Sequence, residues 1–168
     1  MAMRGDEPKS SFPPVIDAGT RLLVCGSLPG EASLAAGRYY AHPQNQFWRL
    51  LGAALGEPLA ELAYEERLAR LLERGVGLWD VVASARRRGS LDQALRGVAA
   101  TPLGELVAAH PAVRAVAFNG LTAARIGRRS LAGSAGLTLV DLPSSSPAHT
   151  LSFAAKAARW AALRDLVG

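Results

Sequence analysis

Four short apolar runs alternate along the chain with segments in which apolar residues recur at helical spacing. Three of the runs end at a turn signal, which is typical of a buried strand: the first ends on a glycine, the third is followed by Asn-Gly, and the fourth is followed by a proline. The predicted strands cover residues 21–26, 76–82, 112–118 and 137–142. Strands that alternate with helices favour a parallel sheet covered on both faces, so the pattern predicts an α/β fold.

The segments between the strands predict helices with one apolar face. One begins near Gln44, turns Phe47 and Leu51 inward, and ends at Gly56. Further helices are predicted for residues 59–73, 102–109, 121–131 and about 150–167. In the last helix the periodicity places Lys156 on the solvent face.

Distinctive residues follow the predicted strands. They are the Gly-Ser-Leu-Pro-Gly run of residues 26–30, Asp80, Asn119 with Gly120, and the Pro-Ser-Ser-Ser-Pro run of residues 143–147. Open parallel sheets bind ligands at the carboxyl ends of their strands. The sequence therefore predicts one composite site at that edge of the sheet.

Residues 38–48 concentrate side chains that are rare elsewhere in the chain. Two of the three tyrosines lie there, with a histidine, a tryptophan and Asn45. Pro43 keeps the preceding residue out of helical conformation and is itself well placed at a helix start. We expect Asn45 in the first helical turn, where free backbone N–H groups favour negative charge.

The chain has 168 residues, of which 49% are hydrophobic, and this length fits one globular domain. Residues 1–19 are expected to form a flexible tail and residues 20–168 a single domain. No apolar run approaches the roughly 18 residues that a membrane span needs, and residues 1–11 lack an apolar signal core. We expect a monomeric, cytoplasmic protein.

The net charge is +5 and the isoelectric point is about 10.1. A basic domain fits a polyanionic partner, but the arginine bias of a GC-rich genome explains the charge equally well. Cys25 is the single cysteine, which excludes a disulfide within the chain and a cysteine-rich metal site. His42, His110 and His149 lack the spacing of metal ligands, so we expect neither a metal nor a cofactor.

Other kinds of chemistry fit the residues less well. Asp141, the serines of residues 144–146 and His149 lie close in sequence, but no Gly-x-Ser-x-Gly turn accompanies them. Residues 26–30 match neither the dinucleotide-binding nor the triphosphate-binding glycine pattern. Asp80 is either a solvated strand end or cap, or an acceptor that reads a base. Arg86 and Arg87 belong to a charged turn that is either merely solvated or contacts phosphates.

Taken in order, these segments resemble the uracil-DNA glycosylase superfamily. The matching segments are residues 26–30, 39–48, 75–80, 118–120 and 142–148, within about residues 21–165. They are most similar to the hypoxanthine-DNA glycosylase branch, followed by the mismatch-specific uracil/thymine branch. The resemblance implies a three-layer α/β/α fold with a central four-stranded parallel sheet. It also implies removal of a deaminated base from DNA after the nucleotide is flipped out of the helix.

The resemblance also implies roles for individual residues. Asn45 matches the catalytic amide, and Tyr40 matches the aromatic residue on which the base stacks. Base contacts are implied for Ser27, Leu28, Asp80 and Asn119. DNA contacts are implied for Ser144, Ser145, Ser146, Pro147 and His149. Arg86 and Arg87 are candidate phosphate contacts because of their charge. We expect the residue that wedges into the gap left by the flipped base to lie within residues 145–149.

Two positions depart from the superfamily pattern. Ser27 stands where other branches carry an asparagine or aspartate, and Leu142 stands where the uracil branch carries a histidine. Two hypotheses therefore stay open: a glycosylase for hypoxanthine, uracil or xanthine, and a non-catalytic relative that only binds lesions. With Lys9 in the tail and Lys156 facing outward, no amine is expected at the site, which predicts an enzyme that uses water and leaves the strand intact.

Overall fold

The computed structural model describes residues 8–86 and 96–167. Its strands are β1 (Pro8–Ser10), β2 (Leu22–Gly26), β3 (Val76–Asp80), β4 (Val82–Arg86), β5 (Arg96–Ala100), β6 (Ala115–Asn119) and β7 (Thr138–Leu142). Its helices are α1 (Glu31–Ala36), α2 (Phe47–Leu55), α3 (Tyr64–Glu73), α4 (Leu103–Ala109), α5 (Leu121–Ser130), α6 (Phe153–Trp160) and α7 (Arg164–Val167). Two 3₁₀ turns, Leu59–Glu61 and Ala161–Leu163, precede α3 and α7.

The central sheet has four parallel strands in the order β3-β2-β6-β7. Alternate residues of β2 serve opposite faces of this sheet. Leu22 and Val24 belong to a core that includes side chains of α2, α3 and α6, whereas Leu23 and Cys25 belong to a second core with side chains of α4 and α5. The three-layer α/β/α fold with a four-stranded parallel sheet is therefore confirmed.

A second sheet of three antiparallel strands, in the order β1-β4-β5, adjoins the first. The single strand predicted for residues 76–82 is wrong, because the chain leaves the central sheet at Val81. There Val81 N donates to Gly26 O, and Thr101 N donates to Val81 O. The run is buried on both sides of Val81, and apolar residues continue past Asp80, so its hydrophobicity gave no sign of the break.

The flexible tail predicted for residues 1–19 needs correction from residue 8 onward. β1 pairs with β4, and Val15 exchanges two backbone hydrogen bonds with Leu78. Trp79 Nε1 also donates to Phe12 O. Since β3 is an edge strand of the central sheet, this segment covers polar backbone that would otherwise be exposed.

Several helix bounds differ from the predicted ones. α1 was not predicted, and the predicted helix 59–73 divides into a 3₁₀ turn and α3. The last helix starts at Phe153 rather than near residue 150, because the Ser152 side chain caps it by accepting from Ala155 N. Within the described ranges, no helix has the length and apolar character needed to cross a bilayer.

Candidate active site

The carboxyl ends of β2, β3 and β6 and the segment after β7 border one open cavity of about 520 Å³. The predicted site residues that line it are Ser27, Leu28, Tyr40, Asn45, Asp80, Asn119, Ser144, Ser145, Ser146, Pro147 and His149. Arg86 instead ends β4 in the second sheet, and Arg87 lies outside the described residues. The sheet topology thus brings together segments that are up to about 120 residues apart in the chain.

Tyr40 forms an aromatic wall of the cavity. Its ring stacks on Phe47, with centroids 3.6 Å apart and planes 10° from parallel. Its φ is +54°, a left-handed conformation that non-glycine residues rarely adopt. The neighbouring backbone is held on both sides, because Tyr39 N donates to Tyr64 Oη and Ala41 N donates to Ser33 Oγ. These bonds fix the strained turn that aims the ring.

Gly26 lies between two polar side chains of the site. A Cβ atom at this position would stand 2.7 Å from Tyr40 Oη and 2.9 Å from Asp80 Oδ1. Contacts that short are forbidden, so only glycine lets the hydroxyl and the carboxylate approach the end of β2. The glycine predicted to end this strand therefore has a role in the shape of the site.

Asp80 is 3% exposed, which rules out a solvated strand end. Burial raises the pKa of the Cys25 thiol well above its usual value, and the negative charge of Asp80 raises it further. Burial and Asp80 raise the pKa of Tyr39 in the same way. Both groups are therefore neutral near pH 7, and a buried carboxylate faces the cavity.

The sequence predicted Asn45 inside the first turn of a helix. In the structure Asn45 lies just before α2, because the helix begins at Phe47. Asn45 N donates to His42 O, which closes a turn over Pro43. The side-chain oxygen Oδ1 then accepts from Phe47 N at 3.0 Å. Asparagine favours such local bonds over helical ones, which explains the later start. The bond orients the amide, because only the oxygen can accept from that N–H.

The run after β7, residues 143–147, is here called the serine loop. Ser145 N donates to Asn119 Oδ1, and Asn119 Nδ2 donates to Ser145 Oγ at 2.8 Å. Ser145 O accepts from Gln46 N, and Pro143 O accepts from Trp160 Nε1. Ser145 is 0% exposed, and its hydroxyl accepts from Asn119 Nδ2, so this side chain holds the loop. Asn119 lines the cavity with both ends of its amide already engaged.

Lys156 is buried, at 1% exposure, and the prediction that it faces solvent is wrong. Its ammonium donates to Gln46 Oε1 at 3.0 Å and to Ser146 O at 3.2 Å. Burial lowers the pKa of this lysine. The polarity of the residue suggested an outward position, but the acceptors that draw it inward come from distant segments.

The cavity wall also includes residues that were not predicted. Ser33, in α1, accepts from Ala41 N and so supports the turn of Tyr40. Leu121 and Thr122, at the start of α5, form part of the rim, where Leu121 is 83% exposed. Helical spacing gave no reason to single out these three residues, because their positions depend on how α1 and α5 pack beside the strand ends.

Comparison with known proteins agrees with this architecture. Residues 13–167 match the family described as the uracil DNA glycosylase superfamily. Two proteins named hypoxanthine DNA glycosylase are similar along nearly their whole length. The one from Methanosarcina barkeri is 37% identical over 91% of this chain and 96% of its own. The one from Methanosarcina acetivorans is 36% identical over 92% of this chain and 97% of its own.

A solved structure shows the same fold. It is a solution NMR structure of a Methanosarcina acetivorans protein provisionally assigned as a uracil DNA glycosylase, with a TM-score of 0.84 and 36% identity. The match covers 95% of this chain and 99% of the other. The resemblance seen in the sequence is confirmed: this chain belongs to the uracil DNA glycosylase superfamily and is by class a DNA N-glycosylase.

Proposed function

We propose that this protein excises hypoxanthine from DNA by hydrolysing the N-glycosidic bond of a flipped-out nucleotide. The observation that carries the proposal is the grouping of Tyr40, Asn45 and Asp80 around one cavity. A volume of about 520 Å³ has room for a flipped nucleoside, and open cavities of this size are typical of small-ligand sites. Names of relatives at 36–37% identity support the choice of base.

Tyr40 supplies the platform on which the extruded base stacks. A base taken out of the helix loses its stacking partners, and an aromatic ring replaces part of that energy. The stack on Phe47 fixes the orientation of the Tyr40 ring before DNA binds. The site therefore does not have to order this ring at the moment of flipping.

Asp80 reads the Watson–Crick edge of the base. Hypoxanthine carries a hydrogen on N1, which a carboxylate oxygen accepts, whereas adenine presents a lone pair there. Adenine would place that lone pair against a carboxylate oxygen, and two acceptors that face each other repel. The same oxygen also accepts from N3–H of uracil and from N1–H of xanthine, so these bases stay secondary substrates of the proposal.

Asn45 acts on the leaving base. Its oxygen already caps α2, so the amide is oriented and Nδ2 serves as donor toward the negative charge that develops on the base. Since Asp80 repels that charge, donors at another edge of the base are needed. The backbone of the loop after β2 is a second source of donors. Ser27 O accepts from Val82 N, so the Leu28 N–H of the same trans peptide points the opposite way, away from β4.

The enzyme uses water and does not cut the strand. A glycosylase that also nicks DNA needs an amine that attacks the sugar. Lys156 is buried behind the serine loop with two acceptors on its ammonium, so it is not placed for attack. Ser144, Ser146, Pro147 and His149 on the cavity wall are proposed to contact the DNA backbone, together with Arg86 at the end of β4 and Arg87. The segment 145–149 is proposed to wedge into the gap that the flipped nucleotide leaves.

A second candidate function is lesion binding without catalysis. It is favoured by Ser27 in the first loop and by Leu142, which is 3% exposed and packed in the core where the uracil branch carries a histidine. A mismatch-specific uracil/thymine glycosylase is a further alternative within the superfamily.

One experiment separates these candidates. Purified protein is incubated with duplexes that carry a single inosine, uracil, xanthine or G·T mismatch, and abasic sites are revealed by alkali. We expect the fastest cleavage at inosine, with no covalent adduct after borohydride treatment. Binding to the inosine duplex without abasic sites would favour the second candidate, and fastest cleavage at the mismatch would favour the third.

A further inference from the structure

Lys156 is the buried cation nearest to the machinery of the site. It lies in the middle of α6, is 1% exposed, and donates to acceptors in two separate segments. One acceptor is Ser146 O of the serine loop, and the other is Oε1 of Gln46, the residue before α2. Lys156 is not among the described residues that line the cavity.

The surroundings of this ammonium make a positive charge at this position energetically unfavourable. Among the described residues, none of the carboxylates forms an ion pair with Lys156 within 4.0 Å. A buried charge with neutral partners only is disfavoured, and an apolar residue of similar volume would be the more stable occupant. Stability alone therefore does not account for a lysine here, and a function does.

The two acceptors belong to the two halves of the proposed catalytic apparatus. Gln46 directly follows Asn45, whose amide is oriented by Phe47 N. Ser146 follows Ser145, which is bonded to Asn119 and, through its carbonyl, to Gln46 N. The Lys156 ammonium thus adds a side-chain link in parallel with the backbone bond between the loop and Gln46.

We propose that Lys156 is a positioning residue: its ammonium holds the serine loop against Gln46 and thereby fixes where the loop places a flipped nucleotide relative to Asn45. This inference rests on the proposed glycosylase function. Lys156 does not touch the substrate. Its contribution is to the geometry of the reacting groups, where displacements of about 1 Å can lower rates by about 100-fold.

The test uses Lys156→Met, which keeps the length and apolar stem of the side chain and removes the ammonium. Arg159→Met is the matched control, because Arg159 is exposed on the same helix and loses the same charge. Single-turnover excision of hypoxanthine is measured beside the affinity for a duplex with a non-cleavable 2′-fluoro-deoxyinosine. We expect excision by Lys156→Met to fall about 10- to 100-fold with affinity and melting temperature nearly unchanged.

Hydrogen exchange supplies a readout that does not depend on activity. The amides of residues 144–149 and 44–46 should exchange faster in Lys156→Met than in wild type, while Arg159→Met leaves them unchanged. Gln46→Met removes the acceptor Oε1 and keeps the lysine. This variant replaces Lys156→Met in the test if Lys156→Met fails to fold. The effects of both substitutions should be less than additive in the double variant.

Each outcome decides the inference. Wild-type excision and exchange in a folded Lys156→Met variant would overturn it, as would equal losses in the Arg159→Met control. If the wild-type protein leaves no abasic sites on any duplex, the proposed function fails instead. Unaltered hydrogen exchange in the loop of Lys156→Met would then still show that Lys156 does not hold the serine loop against Gln46.

Discussion

The ring of Tyr40 lies parallel to that of Phe47, with centroids 3.6 Å apart. The first ring lines the cavity and the second is fully buried at the start of α2. The hydrophobic core thus extends through Phe47 to the surface that is proposed to receive a base. A base stacked on Tyr40 would continue a column of rings that is already rigid before binding.

Removing this platform should slow excision. Tyr40→Ala is expected to lower kcat/KM for an inosine duplex by about 10- to 100-fold, since stacking contributes about 1–3 kcal/mol per base. Tyr40→Phe keeps the ring and should stay close to wild type. Steady-state kinetics of the three proteins check this, and equal losses in both variants would assign the effect to the hydroxyl rather than to stacking.

Gly26 should not tolerate a methyl group. In Gly26→Ala the new Cβ would meet Tyr40 Oη at 2.7 Å and Asp80 Oδ1 at 2.9 Å, so both side chains must move. We expect a loss of excision of about 100-fold with the fold retained. Gly133→Ala is the control, because a Cβ there meets nothing within 4 Å. Full activity of Gly26→Ala would show that the placement of the Tyr40 ring and of the Asp80 carboxylate is not needed.

The pair formed by Asn119 and Ser145 should contribute to stability. Ser145→Ala leaves the buried Asn119 Nδ2 without the acceptor that it has at 2.8 Å, at a cost of about 1–3 kcal/mol. Urea unfolding measures this free energy. Thr150→Ala, an exposed change in the same region, should alter it by less than about 0.5 kcal/mol. A loss for Ser145→Ala as small as that of the control would contradict the buried bond.

Lys156 should make stability depend on pH in a defined direction. Burial lowers its pKa below the usual 10.5 in the folded protein, so the unfolded chain binds more protons between the two values. The stability of wild type relative to Lys156→Met should therefore rise as the pH increases through that window and level off above 10.5. Urea unfolding of both proteins from neutral pH to about pH 11 tests this. A constant difference would contradict the lowered pKa.

The sequence predicted the features that depend on residues close together in the chain. Short apolar runs located all four strands of the central sheet, and their ends located most of the cavity wall, because parallel strands share one carboxyl edge. β5 was missed because its sequence, Arg-Gly-Val-Ala-Ala, shows no alternation of apolar and polar residues, as all five are exposed. The break at Val81 was missed because the run is buried on both sides of it.

The contacts that organise the site were beyond sequence patterns. Asn119 and Ser145 are 26 residues apart, and Lys156 and Gln46 are 110 apart. Their pairing depends on tertiary packing. The resemblance implied a DNA contact for Ser145, and helical periodicity placed Lys156 in solvent, but neither signal contains these long-range contacts. One signal for Lys156 was available: it is one of two lysines among 19 basic residues, so an ammonium stands where arginine is the usual choice.

The Asn45 amide is proposed to act as a donor toward the leaving base in a hypoxanthine-excising site. Asn45→Asp tests this role, because an aspartate keeps an oxygen that can accept from Phe47 N, replaces the Nδ2 donor with an acceptor oxygen, and adds a negative charge that opposes charge on the leaving base. In single-turnover assays on an inosine duplex, we predict wild-type excision, and losses of about 100- to 1,000-fold in both Asn45→Asp and Asn45→Ala, with the aspartate variant fully folded. Excision by Asn45→Asp at the wild-type rate would contradict the donor role, and absence of excision by the wild-type protein would contradict the account as a whole.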